Sequence, residues 1–307
     1  MADQMVGWSG GNQVTLVRRL GFTILEMLVA SCIASMLLVI IFHCHLKLSH
    51  VISVHRTVSK YQQQQFWAYH YFWRQLIHAG FAGRCNLRQL DISADGEEVW
   101  RNGIYGFDSD QRPSFWVHKG ALSDVLQLAY ATEHWAGLLQ DLNPRVRGQV
   151  IKLPKTVFSD RVSHYVLIDD DERSEAVVVA RDGLHVDGCR YLHHRVTARL
   201  YPLQRVSFFV GYNNSSGNDN SGGETSLYRV VGYGRKEELL RGVSGMHCWF
   251  GVAAGDSSKV ISYFKASEVT ARALWSSVVA VKVELVWSGY DVPLVLVARL
   301  RNLSQLN

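Results

Sequence analysis

Proline is scarce in this 307-residue chain: there are five, and none precedes Pro113. Nothing in the first third therefore removes a backbone donor or forces a kink, and a long uninterrupted helix is permitted there. Charge is missing too. Across residues 24–42, a 19-residue apolar stretch, Glu26 is the sole charged side chain, and the next is Lys47. No P-loop, HExxH or CxxC occurs, which removes the enzyme classes that those motifs mark, and the one GxSxG match, at residues 7–11, lies ahead of the apolar stretch rather than between a strand and a helix. Catalysis would need a site assembled from distant residues, so the expectation is a protein that is not an enzyme and carries no cofactor or metal.

What is there begins with Arg18-Arg19-Leu20-Gly21-Phe22-Thr23-Ile24-Leu25-Glu26. The apolar stretch that follows covers roughly 28 Å as a helix, close to the hydrocarbon thickness of a bilayer. Ala30, Ser31, Ala34 and Ser35 are small enough to let another helix approach closely. The run Phe42-His43-Cys44-His45-Leu46-Lys47 makes a poor signal-peptidase site, which favours an uncleaved span over a secretory signal. Arg18 and Arg19 keep the amino terminus in the cytoplasm by the positive-inside rule, with everything after Lys47 on the far side. Glu26 is the anomaly. A carboxylate in a bilayer core costs about 2.5–3.5 kcal/mol on insertion scales, and the segment holds no cation to pair with it.

These residues resemble the processing site of type IV prepilins: a basic leader, Gly, Phe, then a Thr-Ile-Leu-Glu start to a transmembrane helix. The resemblance implies that residues 1–21 are a leader and that prepilin peptidase cuts between Gly21 and Phe22. Phe22 would then be the N-methylated amino terminus, with a membrane span at about 22–42. Glu26 would pair with a neighbouring subunit's amino-terminal charge during assembly. The implied partners are other minor and major pilins, the peptidase and an inner-membrane assembly platform. The implied location is the bacterial inner membrane, single pass, with the carboxy-terminal domain periplasmic and the pilus tip as a second location.

Past the span, Val51, Val54, Val58, Tyr61, Gln65, Tyr69, Phe72 and Leu76 recur at spacings of three and four. This predicts that the helix continues as an amphipathic rod until Gly80 and Gly83, giving a helical region over 22–82. Residues 83–307 change character, with glycine-rich turns and short β-branched runs. Strands are expected at 165–168 and 176–179 around a polar loop, and at 206–210 and 227–231 around a loop of Asn, Ser, Gly and Asp. Further strands are expected at 279–287 and 294–300, with 237–240 leading through a Gly242/Gly245 turn into 246–250. The expected fold is α+β: a long amino-terminal transmembrane and amphipathic helix packed on an antiparallel, β-rich, pilin-like domain.

Three stretches narrow the resemblance. Residues 72–85, from Phe72-Trp73-Arg74 to Ala82-Gly83-Arg84-Cys85, are similar to the end of the first helix in PilW-type minor pilins. Glu238-Leu239-Leu240-Arg241-Gly242-Val243-Ser244-Gly245-Met246 and Trp275-Ser276-Ser277-Val278-Val279-Ala280-Val281-Lys282-Val283 are similar to later stretches of the same family. They occur in family order, with a divergent middle between about 87 and 201. This resemblance implies a minor pilin that helps initiate type IV pilus assembly. A J-type minor pseudopilin of type II secretion shares the layout and is the alternative, as is a pilus-tip subunit that binds a surface or DNA.

Other chemistry is sparse. In the resembled architecture Cys85, Cys189 and Cys248 are exported, where disulfides form. Cys85 with Cys189 is the expected pair, leaving Cys248 free, while a fully reduced, buried trio is the alternative. His43-Cys44-His45 and His193-His194 point to different faces at adjacent positions and cannot converge on one metal. Asp169-Asp170-Asp171-Glu172 lacks the later ligands of a calcium loop and reads as a solvated turn. The aromatics at 66–73 are expected to bury Tyr69, Phe72 and Trp73 against a sheet rather than to stack nucleic acid bases. Arg145, Arg147, Lys152, Lys155 and Arg161 read as a dispersed solvated face, so nucleic acid is not an expected partner.

Overall fold

The computed structural model describes residues 23–82, 85–87, 98–110, 121–137, 165–169, 174–178, 197–212, 224–232, 234–254, 259–290 and 292–300. The chain divides into two compact units, Met1–Gln62 and Gln63–Asn307. Helix α1 runs over Ile24–His78, 55 residues without a glycine or proline. It stops four residues short of the expected end. Gly80 takes a left-handed φ of 75°, and its N–H donates to the Ala129 carbonyl at 2.8 Å instead of continuing the helical ladder. The next residues start a short hairpin, β1 (Phe81–Ala82) with β2 (Cys85–Asn86).

The described elements then follow as α2 (Glu98–Asn102), β3 (Ile104–Phe107), β4 (Val125–Ala131), β5 (Ala136–Gly137), β6 (Tyr165–Asp169), β7 (Ser174–Val178) and β8 (Arg199–Tyr212). After these come β9 (Thr225–Val231), β10 (Glu237–Arg241), β11 (Val243–Ala253), β12 (Val260–Phe264), α3 (Ala266–Ala271), β13 (Val278–Trp287) and β14 (Leu294–Arg299). The 14-residue β8 is the spine of the first sheet. Along one edge it pairs with β4 and β5, along the other with β9 and β6, and β10, β3 and β7 extend the sheet outward. Strands β12-β11-β13-β14 form a second antiparallel sheet. Its β13 and β14 alternate in burial: Val283, Leu285 and Trp287 face inward with Leu296 and Ala298, while Val295 and Val297 are exposed. That is the pattern of a sheet with one covered face.

The paired strands expected at 165–179 and 206–231 are present, and β13 pairs with β14 in register from Ala280↔Arg299 to Leu285↔Leu294. Gly245 differs from expectation. It lies within β11 at a register shift against β13, not in a turn. The corner is Gly242 alone, with φ of 78°. Its N–H donates to the Thr225 carbonyl at 2.9 Å in the first sheet, and its carbonyl accepts from Ser288 N–H at 2.8 Å beside the second. One left-handed residue therefore passes the chain from sheet to sheet.

Two buried carboxylates tie elements that local sequence does not connect. Asp124, just before β4, accepts Ser109 N–H at 3.1 Å and the Cys248 N–H of β11 at 2.9 Å. Asp108 accepts the N–H groups of Ala266 and Ser267 at 3.1 Å each, capping α3 from 158 residues away. Gly106 in β3 meets the Phe250 ring of β11 so closely that a Cβ there would lie 2.5 Å from its tip.

Gly242→Ala is expected to cost about 1–2 kcal/mol, because only φ and no neighbouring atom opposes a side chain there. The measurement is the denaturant midpoint of the detergent-solubilised protein, and an unchanged midpoint would refute the corner argument. Burial holds the Asp124 carboxyl above its ordinary range, against the opposing pull of its two backbone donors. The folded state thus retains the proton to higher pH than the unfolded chain does. The stability this contributes is complete below the ordinary carboxylate pKa and lost as pH rises through the raised one. The stability difference between wild type and Asp124→Asn should therefore shrink as pH rises across that acidic window. A flat difference from pH 3 to 7 would show that Asp124 is not shifted.

Candidate assembly surface

The first candidate site is the start of α1. Thr23 stands at its N-cap, and the Glu26 N–H donates to Thr23 Oγ1 at 3.3 Å and to the Thr23 carbonyl at 3.0 Å. Thr-x-x-Glu is the sequence form of a capping box, a signal legible in the chain. Glu26 thus lies in the first helical turn, where the backbone dipole already favours a negative charge. Among the described residues no cation pairs with its carboxylate. Every residue from 23 to 60 is exposed, and α1 contains a window long and apolar enough to cross a membrane. The hydroxyls in this window are satisfied within the helix: Ser31 donates to the Leu28 carbonyl at 2.9 Å and Ser35 to that of Cys32 at 2.8 Å. They make no demand on the surroundings. Glu26 is the one strongly polar group there that leaves its functional atoms for something else. Cys32 and Cys44 are free and exposed. Gly21 and Phe22 lie outside the described residues.

The last four turns of α1 make the second candidate, built inside the larger unit. Ala68, Phe72 and Leu76 form its buried stripe. The Phe72 ring packs 4.9 Å from that of Phe208 in β8. Of the three aromatics expected to bury, only Phe72 does; Tyr69 and Trp73 remain 38% and 37% exposed. The period of 3.6 explains the difference, since 68, 72 and 76 share one face and 69 and 73 lie beside it. Tyr69 and Trp73 stack on each other instead, as do Trp67 and Tyr71 at 4.8 Å between centroids. Arg74, the nearest cation in the sequence, is bonded to both Glu133 carboxylate oxygens at 3.2 Å. That pairing draws the Glu133 carboxyl below its ordinary range and commits the Arg74 charge to a carboxylate rather than to a track beside the rings.

Polar links fix the helix face. Arg229 of β9 donates to Tyr71 Oη at 2.8 Å and to Glu237 Oε2 at 3.0 Å. Tyr130 donates to Gln75 Oε1 at 2.7 Å, and burial pushes its phenol well above the ordinary range. Tyr71 is also shifted upward, by burial. These pairs join residues up to 158 positions apart, so no local pattern in the sequence announces them. Cys248 is a free, buried thiol pushed well above its ordinary pKa by burial, a packing group rather than a nucleophile. Cys85 lies in β2, and Cys189 lies outside the described residues, as do His193, His194, Asp170, Asp171, Glu172 and the basic residues of 145–161. Asp169 is buried at the end of β6 and does not sit in a solvated turn.

Phe72→Ala should cost about 3–5 kcal/mol in unfolding free energy, since it empties a fully buried site. Trp73→Ala, one position along, should stay within about 0.5 kcal/mol. Equal losses in chemical denaturation would contradict the face assignment.

Residues 209–298 match the family model described as Type IV Pilus-assembly protein W. No curated protein and no solved structure matches the chain. The matched stretch runs from within β8 to within β14 and includes the Gly242 corner and the second sheet up to Ala298. Two of the three PilW-like stretches, at 238–246 and 275–283, fall inside it. The helix end at 72–85 and the Gly21-Phe22 junction fall outside, as does the divergent middle.

Proposed function

We propose that this chain is a minor pilin of the PilW type that helps to start type IV pilus assembly. The match over residues 209–298 carries the reading. Two further features support it: an exposed apolar helix long enough to span a bilayer, and a lone carboxylate in that helix's first turn. In this reading prepilin peptidase cuts between Gly21 and Phe22, and the freed amine of Phe22 is methylated. Apolar packing of α1 against neighbouring pilin helices supplies cohesion but little axial preference, because one Leu or Val contact resembles the next. The Glu26 carboxylate, pairing with a neighbour's amino-terminal charge in low dielectric, selects one register. The β domain contributes subunit contacts on the periplasmic side, and the inner-membrane platform receives the complex.

The test is intact mass and amino-terminal sequencing of the protein from cells with and without prepilin peptidase. A chain beginning at methylated Phe22 only when the peptidase is present is the expected result. An uncut chain in both strains would overturn the proposal. Glu26→Gln should still be cut, yet lower the number of surface pili at least tenfold by electron microscopy, because the register-setting charge is gone while the cleavage junction is intact.

A further inference from the structure

The stretch of α1 that follows the apolar window carries positive charge only. Lys47, Arg56 and Lys60 are all exposed, and the sequence contains no Asp or Glu between Glu26 and Asp91. Among the described residues no carboxylate pairs with any of the three. At 3.6 residues per turn Lys47 lies on roughly the opposite side of the helix from Arg56 and Lys60. The cations therefore do not form one solvated stripe but face two directions.

Three occupants compete for this surface, and distance and charge decide between them. Anionic lipid headgroups reach only as far as the field of the membrane surface extends, about 8 Å at physiological ionic strength. Counting from Phe42, the end of the apolar stretch, Lys47 lies about 8 Å along the helix, Arg56 about 21 Å and Lys60 about 27 Å. Lipid accounts for the first and not for the other two. A second copy of this chain in register brings lysine against lysine and arginine against arginine. Staggered, it offers one carboxylate, Glu26, for three cations. Packing of α1 on itself is thus opposed by charge over this whole stretch.

We infer that residues 47–60 of α1 dock against helices of different chains that carry carboxylates over the matching span of about 20 Å, on two sides of α1. The inference rests on the pilin reading and deepens it by naming the kind of neighbour. Like-charge repulsion excludes the chain from its own neighbourhood, and opposite charge admits a distinct acidic subunit, so attraction and rejection both come from the same three residues.

The experiment uses the full-length tagged chain, co-expressed in membranes with each prepilin-like chain encoded in the same genome and with an untagged copy of itself, with retention quantified after mild detergent extraction. Expected is retention of at least one chain whose helix carries carboxylates at this height, and background retention of the self copy. Lys47→Glu with Arg56→Glu and Lys60→Glu should reduce that retention at least tenfold, and changing the partner's carboxylates to Lys should restore it. The triple Ala variant should lose less than the triple Glu variant, which separates charge reversal from failure to fold. Unchanged retention in the triple Glu variant overturns the inference. So does self-retention as strong as that of any other chain. An effect confined to Lys47→Glu, with Arg56→Glu and Lys60→Glu silent, assigns the surface to lipid and also overturns it. Cleavage after Gly21 is followed in the same samples. An uncut wild-type chain whose association still depends on charge would sink the pilin reading and keep the acidic partner, whereas a cut chain indifferent to charge reversal would do the opposite.

Discussion

One cross-strand row in the first sheet links the seating of the helix to the packing of the second sheet: Arg229, Phe208, Leu126 and Gly106, in register across β9, β8, β4 and β3. At one end Arg229 reaches Tyr71 of the helix, and in the middle Phe208 packs on Phe72. At the far end Gly106 leaves room for the Phe250 ring of the second sheet. Because residues directly opposite in neighbouring strands present side chains to the same face, this row couples helix seating to sheet–sheet packing. Aromatic volume, a missing Cβ and one guanidinium share the task, and the strict period of two fixes which residues can take part.

Buried polar groups then remove the remaining freedom. Asp124 and Asp108 accept backbone N–H groups from β11 and from the first turn of α3. Each satisfies donors that would otherwise be stranded in the interior at a cost of about 1–3 kcal/mol. Gly242 does the same with its own backbone, bonding to one sheet on each side. These contacts are directional where apolar packing is not, so they specify which strand meets which. Gly242 and the donors Cys248, Ala266 and Ser267 lie within the stretch that matches the PilW family model, while the two carboxylates that hold them lie before it.

The amino-terminal helix follows a different logic. Its serines bond to their own backbone and its apolar side chains are exposed, so within the smaller unit it is a finished helix with an unfinished surface. Two kinds of charge remain on that surface: the Glu26 carboxylate near its start and the cations from Lys47 to Lys60. In the proposed reading both select among neighbours, the first by axial register and the second by chemical identity, while the apolar area supplies attraction that is indifferent to both.

The helix, its apolar window, the Thr23–Glu26 cap and the strands of β6 to β14 that alternate cleanly were legible in the amino-acid sequence. Each is a local pattern, a period of 3.6 or 2 or a cap three residues wide, and local sterics and solvation enforce it without help from distant residues. Short α3, the early strands β3 and β4, and the exact end of α1 were not legible. Their limits are set by partners: α3 is capped by Asp108, and α1 stops where the Ala129 carbonyl claims the Gly80 N–H. Tyr69 and Trp73 show the same division. Composition marks them as core, but only the docking angle of the helix on the sheet decides that Phe72 is buried and they are not. The sequence by itself determined the long helix, the later strands and where charge is withheld; the tertiary structure alone decided the partner-set elements and which residues meet, because contacts between residues 100 or more positions apart leave no period in the chain to read.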